Sequence, residues 1–555
     1  MPVITRRRTA TAVLAAASLL AVAACSGGQD DQSDPEGPTT LTIFTMENTD
    51  QDLDTNRFTE YVREELGIEL EFQTTTYDGT AAGEARQISL ASGDLPDVYA
   101  LVSWVNQFSQ TELLNLGSQG VLQPLNDLIA EHAPNISQAF ADHPELEALA
   151  TAPDGNIYGL PQWNDCFHCT YQAKLWLNTE WLDTLGLEMP TTTEEMREVL
   201  EAFVTQDPNG NGQADEIGIG GAVQIADVIP YFMNAFAYDP LGGETTTLSL
   251  ALDGDQVVTQ ATTEEWREGL EYIAGLYADG LIDQSSFTQN AEALQAKGNN
   301  ADAPLLGGCT ALHPAICVEL SDENTRHTAY DAVPPLTGPN GAQYTTYNFP
   351  STPGAMWAIT ATASEAEQIA AIMLADLLYT VEGRNLGQFG LEDVAWRLPE
   401  ADEVALDPEL EPIVALIPAD ADNPDSVNGA WGSSAQLYAP AEWRNAEVQP
   451  EDPYLVSGYE RRLFEATQLY ADHVPQDMVF PYWRVWVDGS LSGELATLQT
   501  NISSYIDQTN VEFITGQRDI TDDAAWDAYV QGFEGLGLSR YVEIYQTSYD
   551  ASAAG

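Results

Sequence analysis

The sequence contains very little positive charge. Only 19 of its 555 residues are Lys or Arg, against 86 Asp or Glu, and the formal net charge at pH 7 is -67. Lys174 and Lys297 are the only lysines. Nucleic acids and anionic lipid surfaces are bound through clusters of basic side chains, so this composition argues against both as partners. An acidic surface of this kind favours solubility at high ionic strength, where salt screens the repulsion between carboxylates.

Catalytic motifs and internal repeats are also lacking. No GxSxG elbow, HExxH helix, Walker loop or GxGxxG turn stands in a fitting context, so we predict that the protein is not an enzyme. The absence of repeats argues against a calcium-stabilised adhesin. A pair of catalytic carboxylates is defined by its separation in space, and 86 acids leave room for one. A secreted glycoside hydrolase or polysaccharide lyase is therefore the alternative function.

The N-terminal apolar run, Ala12–Ala24, is too short to span a bilayer, which takes about 20 apolar residues. It follows three arginines and ends in small residues, so residues 1–24 are predicted to be a secretion signal. The end of the run, VAAC, resembles the lipobox of bacterial lipoproteins, which implies a lipid on Cys25. The alternative is an ordinary cleavage site with a chance cysteine. Residues 25–40 are small and polar and predict a flexible tether, so the expected location is the extracellular face of the cell membrane, with the lipid as the only membrane contact.

Four cysteines follow Cys25: Cys166, Cys169, Cys309 and Cys317. An even number in a secreted chain favours disulfides, and the predicted pairing is local, Cys166–Cys169 and Cys309–Cys317. Zinc is the alternative, since His168 and His313 lie between the members of each pair. The oxidising exterior and the absence of two paired CxxC motifs favour the disulfides.

Strands and helices alternate after the tether. The apolar run Leu41–Met46 predicts a strand, the periodicity before Gly67 a helix, Ile68–Gln73 a second strand, Ala81–Ser92 a helix and Leu95–Leu101 a third strand. This order is typical of a doubly wound α/β layer with parallel strands. Ligands bind beyond the carboxyl ends of such strands, so the loops at 47–50 and 102–104 should face a site.

Several segments carry a resemblance to a known family. They are SGDLPDVYAL, GVLQPLNDLI, DGNIYGLPQW, LWLNTEWLDTLGLEMPTT and the C-terminal stretch Asn510–Asp550. Their order resembles the extracellular solute-binding proteins of carbohydrate ABC importers, in particular the large lipoprotein-type members. The resemblance implies an α/β, two-lobe periplasmic-binding-protein-like fold of type II, with a ligand cleft between lobes joined by a hinge. It implies an oligosaccharide ligand and the permease subunits of an ABC transporter as partners; a monomer is expected. The same fold with a peptide ligand is a further alternative.

The resemblance also implies that the chain crosses between lobes more than once. The predicted layout is 41–164 in the first lobe, 165–345 in the second, 346–410 back in the first, and 411–555 mainly in the second. Gly and Pro cluster at the first two crossings, which suits segments that absorb backbone rotation.

The stretch DPNGNGQADE, Asp207–Glu216, reads like the start of an EF-hand loop. Oxygen donors stand at alternate positions: Asp207, Asn209, Asn211, the Gln213 carbonyl and Asp215, with Glu216 directly after them. Gly212 occupies position 6, as calcium loops require, but Gly218 replaces the usual Glu at position 12. Because a strand-like segment follows, we predict a static structural Ca²⁺ clip rather than a sensor, and the resemblance implies the same. A hydrogen-bonded Asx turn without metal is the alternative.

The tryptophans at the predicted joints are the candidate ligand contacts, because sugar rings stack on indole while their hydroxyls need polar partners. The predicted ligand-binding residues are Trp104, Trp163, Asn164, Asp165, Trp357, Trp431, Trp483 and Arg484. Four other tryptophans stand in helical patterns and are predicted to be core residues: Trp176, Trp181, Trp266 and Trp526.

Overall fold

The computed structural model describes residues 38–223, 225–240 and 250–554 of the chain. The predicted secretion signal, Cys25 and most of the tether lie outside these residues. The tether is shorter than predicted, because the first strand begins at Thr39 rather than after residue 40. None of the helices in the described ranges combines the length and the apolar content that a membrane crossing requires.

The secondary structure alternates between short strands and helices. In the described residues the strands are β1 (Thr39–Met46), β2 (Ile68–Thr75), β3 (Val98–Ala100), β4 (Trp163–Asn164), β5 (Leu175–Asn178), β6 (Ile217–Gly220), β7 (Leu250–Asp253), β8 (Gln256–Thr259), β9 (Leu306–Thr310), β10 (Tyr330–Val333), β11 (Trp357–Ile359), β12 (Trp396–Arg397), β13 (Ala415–Leu416) and β14 (Tyr438–Ala439). The α-helices are α1 (Arg57–Leu66), α2 (Gly79–Ser92), α3 (Gln110–Ser118), α4 (Asn126–His132), α5 (Pro134–Asp142), α6 (Pro144–Ala150), α7 (Phe167–Thr170), α8 (Thr179–Leu185), α9 (Thr193–Thr205), α10 (Ile229–Met233), α11 (Glu264–Ala278), α12 (Ala291–Gly298), α13 (Glu365–Leu377), α14 (Val381–Gln388), α15 (Pro424–Val427), α16 (Ala441–Arg444), α17 (Tyr459–Gln468), α18 (Ser492–Ile514), α19 (Asp523–Leu536) and α20 (Leu538–Ala554).

The first sheet has the strand order β11-β3-β1-β2. β1 pairs in parallel with β2 and β3, as the sequence predicts, while β11 is antiparallel to β3. The intervening helix α1 begins after Asn56, whose side chain accepts a hydrogen bond from the amide of Phe58. It ends at Gly67, whose φ of 66° is a left-handed conformation that glycine adopts without strain. The predicted strand–helix–strand–helix–strand order at the N-terminus is confirmed.

The second sheet has the strand order β10-β5-β9-β6. β6 and β9 are parallel, whereas β5 is antiparallel to both of its neighbours. β5 is the first strand of the second sheet along the chain, and β11 is the strand with which the chain returns to the first sheet. Each begins opposite the carboxyl end of its neighbour, since Leu175 pairs with Thr310 and Trp357 with Ala100. The chain therefore enters each sheet at the edge where the parallel strands end.

Two separate hydrophobic cores define the two lobes. Lobe one packs around the first sheet and includes Leu41, Trp163 and Trp357; lobe two packs around the second and includes Leu175 and Val333. Leu160 and Trp163 belong to the lobe-one core, Leu175 belongs to the lobe-two core, and the lobe-one core resumes at Ala355. The third crossing is later than residue 410, because lobe one also contains buried residues much further along the chain: Val414, Trp431, Leu437 and Tyr438. The chain enters lobe two for good only between Ala439 and Leu463.

Candidate functional site

The lobe-one edge, which we define by the residues following β1, β2 and β3, presents an exposed tryptophan beside a half-buried tyrosine. Trp104 lies in the turn after β3, is 55% exposed, and its ring centroid is 5.8 Å from that of Tyr77. Tyr77 comes two residues after the end of β2. Strand ends that meet at one edge bring these two side chains together. An indole held in place on one side and open to solvent on the other is suited to stack on a sugar ring.

Hydrogen-bonding groups lie beside this pair. The hydroxyl of Ser103 donates to Gln162 Oε1 over 2.5 Å, and Gln162 Nε2 donates to the carbonyl of Gln436 over 2.9 Å. The hydroxyl of Thr45 at the end of β1 lies 3.0 Å from that of Ser434. Thr45, Gln162 and Ser434 are buried, so these hydrogen bonds connect the strand ends and loops around the pair, whereas Trp104 offers an exposed face to a sugar ring.

A second aromatic cluster lies where the two lobes meet. Trp483 stacks on Phe349 with centroids 4.3 Å apart and an interplanar angle of 4°, and Trp163 contacts the other side of Phe349 edge-on at 5.4 Å. His143 lies 5.0 Å from the Trp163 ring. Trp163 and Trp483 are thus brought together, through a phenylalanine that lies between them. Both rings are mostly buried, so their role here is to join the lobes.

The predicted hydroxyl partners already have protein partners. Arg484 pairs with Glu145 of α6, and Trp483 Nε1 donates to the same carboxylate over 3.3 Å. Asn164 Oδ1 accepts from Arg444 over 2.6 Å. Burial raises the pKa of Asp165 above its usual range. Since Glu145 belongs to lobe one and Arg484 lies between residues of the lobe-two core, their ion pair crosses the lobe boundary.

Two predicted ligand contacts are corrected by their burial. Trp357 is fully buried at the start of β11. Trp431 is 2% exposed, contacts Phe58 and Phe72 edge-on, and donates through Nε1 to Thr59 Oγ1 over 2.9 Å. Both are core residues of lobe one and lie outside the candidate site. The four tryptophans predicted to be core residues are all buried.

The sequence reasoning missed several residues of both clusters: Tyr77, His143, Glu145, Gln162 and Phe349. Tyr77 could have been found, because, like Trp104, it lies in the loop after a parallel strand. The others are positioned by contacts between residues more than 180 positions apart in sequence, such as Trp163 with Phe349. Local sequence patterns do not predict contacts of this kind.

Both predicted disulfides are present. Cys166 is bonded to Cys169 at the start of lobe two, and Cys309, in β9, is bonded to Cys317. Zinc is bound by thiolates, and a sulfur that is part of a disulfide is not one. His168 Nε2 lies 3.5 Å from Cys166 Sγ, so it contacts the disulfide, and the pairing resolves the alternative in favour of disulfides.

The predicted calcium loop is tightly turned. Asp207 and Gly212 have φ values of 49° and 75°, and Asp207 Oδ2 accepts from the amide of Gly212 over 3.0 Å. The side-chain oxygens of Asn209 and Asn211 each accept from the backbone amide two residues on, over 3.0 and 2.7 Å. These are the Asx turns of the alternative interpretation. They hold the loop in a tight turn.

The acids of this loop fit a cation. The buried oxygens Asp207 Oδ1 and Glu216 Oε1 have no hydrogen-bond partner within the protein. Burial, followed by repulsion from Asp207 and Asp215, raises the pKa of Glu216. The NH₂ group of Asn211 donates to both Asp215 oxygens, over 3.0 and 3.3 Å. In the described residues the only group of three His, Cys, Asp or Glu side chains whose ligand atoms all lie within 4.8 Å of one another is Cys166, His168 and Cys169, so the three carboxylates of this loop lie further apart than that.

A cavity of about 720 Å³ lies elsewhere, between the β12–β13 hairpin and the start of α17. None of the predicted ligand residues lines it. Its charged lining includes Arg397 and Glu403, which already pair with each other over 2.6 Å. The candidate site is therefore placed by the exposed side chains at the strand ends rather than by this cavity.

Known proteins resemble the chain over almost its entire length. The sequence profile of bacterial extracellular solute-binding proteins matches residues 49–384, more than half of the chain. The fructooligosaccharide ABC transporter substrate-binding protein FusA of Streptococcus pneumoniae is 28% identical over 567 aligned residues, which cover 97% of each chain. Lipoprotein LipO of Bacillus subtilis is 27% identical over 285 residues, about half of each chain.

Solved structures agree with these sequence matches. FusA in complex with kestose has a TM-score of 0.69 and 25% identity, with 93% of this chain and all of that chain covered. An EF-hand mutant of FusA in complex with fructo-nystose has a TM-score of 0.70 at the same identity and coverage. An extracellular solute-binding protein of Bifidobacterium longum subsp. infantis has a TM-score of 0.75 at 22% identity, over 94% of this chain and 99% of that chain, and shows the fold alone. The predicted two-lobe α/β fold is confirmed.

Proposed function

Because the chain belongs to the family of bacterial extracellular solute-binding proteins, we propose that it binds an oligosaccharide between its lobes and delivers it to an ABC permease. The observation that carries this proposal is the exposed Trp104 ring, backed by Tyr77 at the lobe-one edge. The likeness to FusA over 97% of both chains supports a saccharide as the ligand. The relatives bind solutes for transport, which supports a binding protein over a secreted polysaccharide-degrading enzyme.

Lobe closure is the proposed working step. A ligand that contacts both lobes favours the closed state by its difference in affinity for the two states, and by no more than that. The pair Glu145–Arg484 and the stack of Trp483 on Phe349 lie at the lobe boundary and would guide this movement. An exposed ion pair contributes only about 0–1 kcal/mol, so it can form and break as the lobes move.

A thermal-shift screen of the mature protein tests this function. We expect a rise in melting temperature with at least one class of oligosaccharide and none with peptides, because only ligands that bind the native state stabilise it. A response to peptides alone would contradict the proposal. The same mixtures should be examined for new reducing ends or unsaturated products, since turnover would make the protein an enzyme.

We further propose that residues 207–216 hold a structural calcium ion. Asp207, Asp215 and Glu216 would supply carboxylate oxygens, Asn209 and Asn211 amide oxygens, and Gln213 its carbonyl. The ion would neutralise three acids that repel one another in its absence, which pins the segment between α9 and β6. The solved EF-hand mutant of FusA supports a loop of this type in a relative.

Attachment through Cys25 is the remaining proposal, and it concerns residues outside the described ranges. If Cys25 carries the lipid, Cys25→Ser should move the protein from the membrane fraction to the culture medium. The acidic surface would not hold it at an anionic membrane without the lipid. Cell fractionation with immunoblotting measures this distribution. Membrane retention of Cys25→Ser that equals the wild-type level would count against the anchor.

A further inference from the structure

The lobe-two edge, which we define by the residues that follow β6 and β9, carries an acid that the sequence reasoning missed. Asp227 closes the loop 221–227 after β6 and directly follows Ala226, whose carbonyl accepts a hydrogen bond from Thr310 at the end of β9. Topology therefore places Asp227 at the carboxyl ends of two parallel strands, where ligands bind in α/β sheets.

Asp227 combines an exposed side chain with nearby protein that acts on its charge. Its side chain is exposed, as are Val223 and Ile225 of the same loop at 42% and 52%. The surrounding protein nevertheless raises the pKa of Asp227 to about 6 through burial, and Asp507 of α18 adds repulsion. Both observations hold if one side of the carboxylate faces solvent and protein surrounds its other sides.

Cations that could hold an anionic ligand are already engaged. Sixteen of the nineteen Lys and Arg residues follow the predicted signal, and all sixteen lie in the described ranges. Twelve of them pair with carboxylates within 4.0 Å: Arg57, Arg63, Arg86, Arg197, Arg267, Lys297, Arg384, Arg397, Arg462, Arg484, Arg518 and Arg540. Each carboxylate reduces the charge that its partner could offer to a ligand.

The remaining four cations are engaged by other groups. Lys174 is fully buried and donates to the carbonyls of His168 and Tyr171. Arg326 and Arg461 donate to backbone carbonyls. Arg444 donates to Asn164, and its charge also acts on Asp165 and Glu460, whose pKa values it lowers against the larger effect of burial.

We propose that the ligand is an uncharged oligosaccharide whose hydroxyl groups donate to the carboxylate of Asp227. The inference rests on the proposed function and narrows its substrate class. Hydrogen bonds from a hydroxyl to a carboxylate are charge-assisted and strong, and they require no charge on the ligand. A uronate would add a third negative charge to those of Asp227 and Asp507, and the three charges would repel one another. A cation that offset this charge would first have to leave its present partner in the protein.

Isothermal titration of the mature protein with three length-matched sets of oligosaccharides tests the proposal. The sets are neutral oligosaccharides, oligogalacturonates and glucosamine oligomers. We expect binding to a neutral set and an affinity at least 100-fold lower for the oligogalacturonates. A preference for oligogalacturonates or for glucosamine oligomers would overturn this inference alone. Binding of peptides and of no saccharide would overturn the proposed function together with it.

The variant Asp227→Asn tests the residue itself. Asparagine has the same shape and keeps an oxygen for the amide of Ile229, which donates to Asp227 Oδ1 over 2.9 Å, so the loop should fold normally. We expect the affinity for the neutral ligand to fall about tenfold or more, because a charged acceptor becomes a neutral one. Asp253→Asn, at an exposed acid on the β7–β8 hairpin, should bind like the wild type. Unchanged affinity in Asp227→Asn would contradict the assignment.

Discussion

Replacing Trp104 by alanine should reduce the affinity for the saccharide by about 30- to 150-fold while leaving the fold intact. The indole is 55% exposed and lies against Tyr77, so it contributes little to the core but offers a large face to a ligand. Aromatic residues of this kind lose about 2–3 kcal/mol of binding free energy on truncation, and each 1.4 kcal/mol is a factor of ten. Isothermal titration with the saccharide selected by thermal shift measures the change.

Two control variants separate binding from stability. Trp104→Tyr keeps an aromatic face and should recover most of the affinity, because stacking depends on that face. Ile88→Ala removes an apolar side chain that is 69% exposed on α2 of the same lobe and should bind like the wild type. Melting temperatures of all three should agree closely, since exposed substitutions change the free energy of unfolding by about 0.5 kcal/mol or less. An unchanged affinity in Trp104→Ala would remove the lobe-one edge from the site.

Local sequence patterns predicted the elements of the fold because those patterns arise from neighbouring residues. The parallel pairing of β1 with β2 and β3 follows from apolar strands alternating with helices. The end of α1 follows from Gly67, and both disulfides join cysteines that are three and eight residues apart. We predicted the third crossing between lobes too early in the chain. Val414 and Trp431 belong to the lobe-one core through long-range contacts, and such contacts cannot be predicted from composition.

The candidate site could be predicted only in part for the same reason. Trp104 and Trp431 both stand in polar, loop-like sequence, yet one is exposed at a strand end and the other donates a buried hydrogen bond to Thr59. The difference depends on Phe58 and Phe72, which are more than 350 residues away from Trp431 in sequence. Asp227 was missed because a single acid among 86 has no local signature. Its position beyond β6 becomes evident only once the strand order is known.

Removing calcium should lower the melting temperature of the protein by about 5–10 °C. A ligand at about 100 times its Kd stabilises the native state by about 2.7 kcal/mol, and about 2–4 °C per kcal/mol is typical of domains of this size. The physical source is the loop 207–216, where two buried carboxylate oxygens lack partners and three acids repel one another. Differential scanning calorimetry of the protein in EDTA and in excess Ca²⁺ measures the shift, and Mg²⁺, which demands a tighter octahedral site, should replace little of it.

Protonation should replace part of the effect of calcium. The pKa of Glu216 is raised in the folded state, so without calcium the native protein binds its proton more tightly than the unfolded chain does. Its stability then falls as pH rises from the unfolded pKa of Glu216 through the folded one, and the shift caused by calcium grows over the same window. We therefore expect a larger calcium shift at pH 7 than at pH 5. Glu216→Gln should raise the melting temperature in EDTA and reduce the calcium shift.

The variant Asp207→Asn separates ion binding from loop structure. Asparagine tolerates the left-handed backbone at this position, where φ is 49°, and can still accept the hydrogen bond from Gly212. The loop should therefore keep its shape but lose a charged ligand, so the calcium shift should shrink to near zero. Asp302→Asn, at an exposed acid of the same lobe, should retain the full shift. If Asp207→Asn also retained it, the loop would be an Asx turn without metal, because a calcium ion at position 1 of the loop cannot lose its carboxylate without losing affinity.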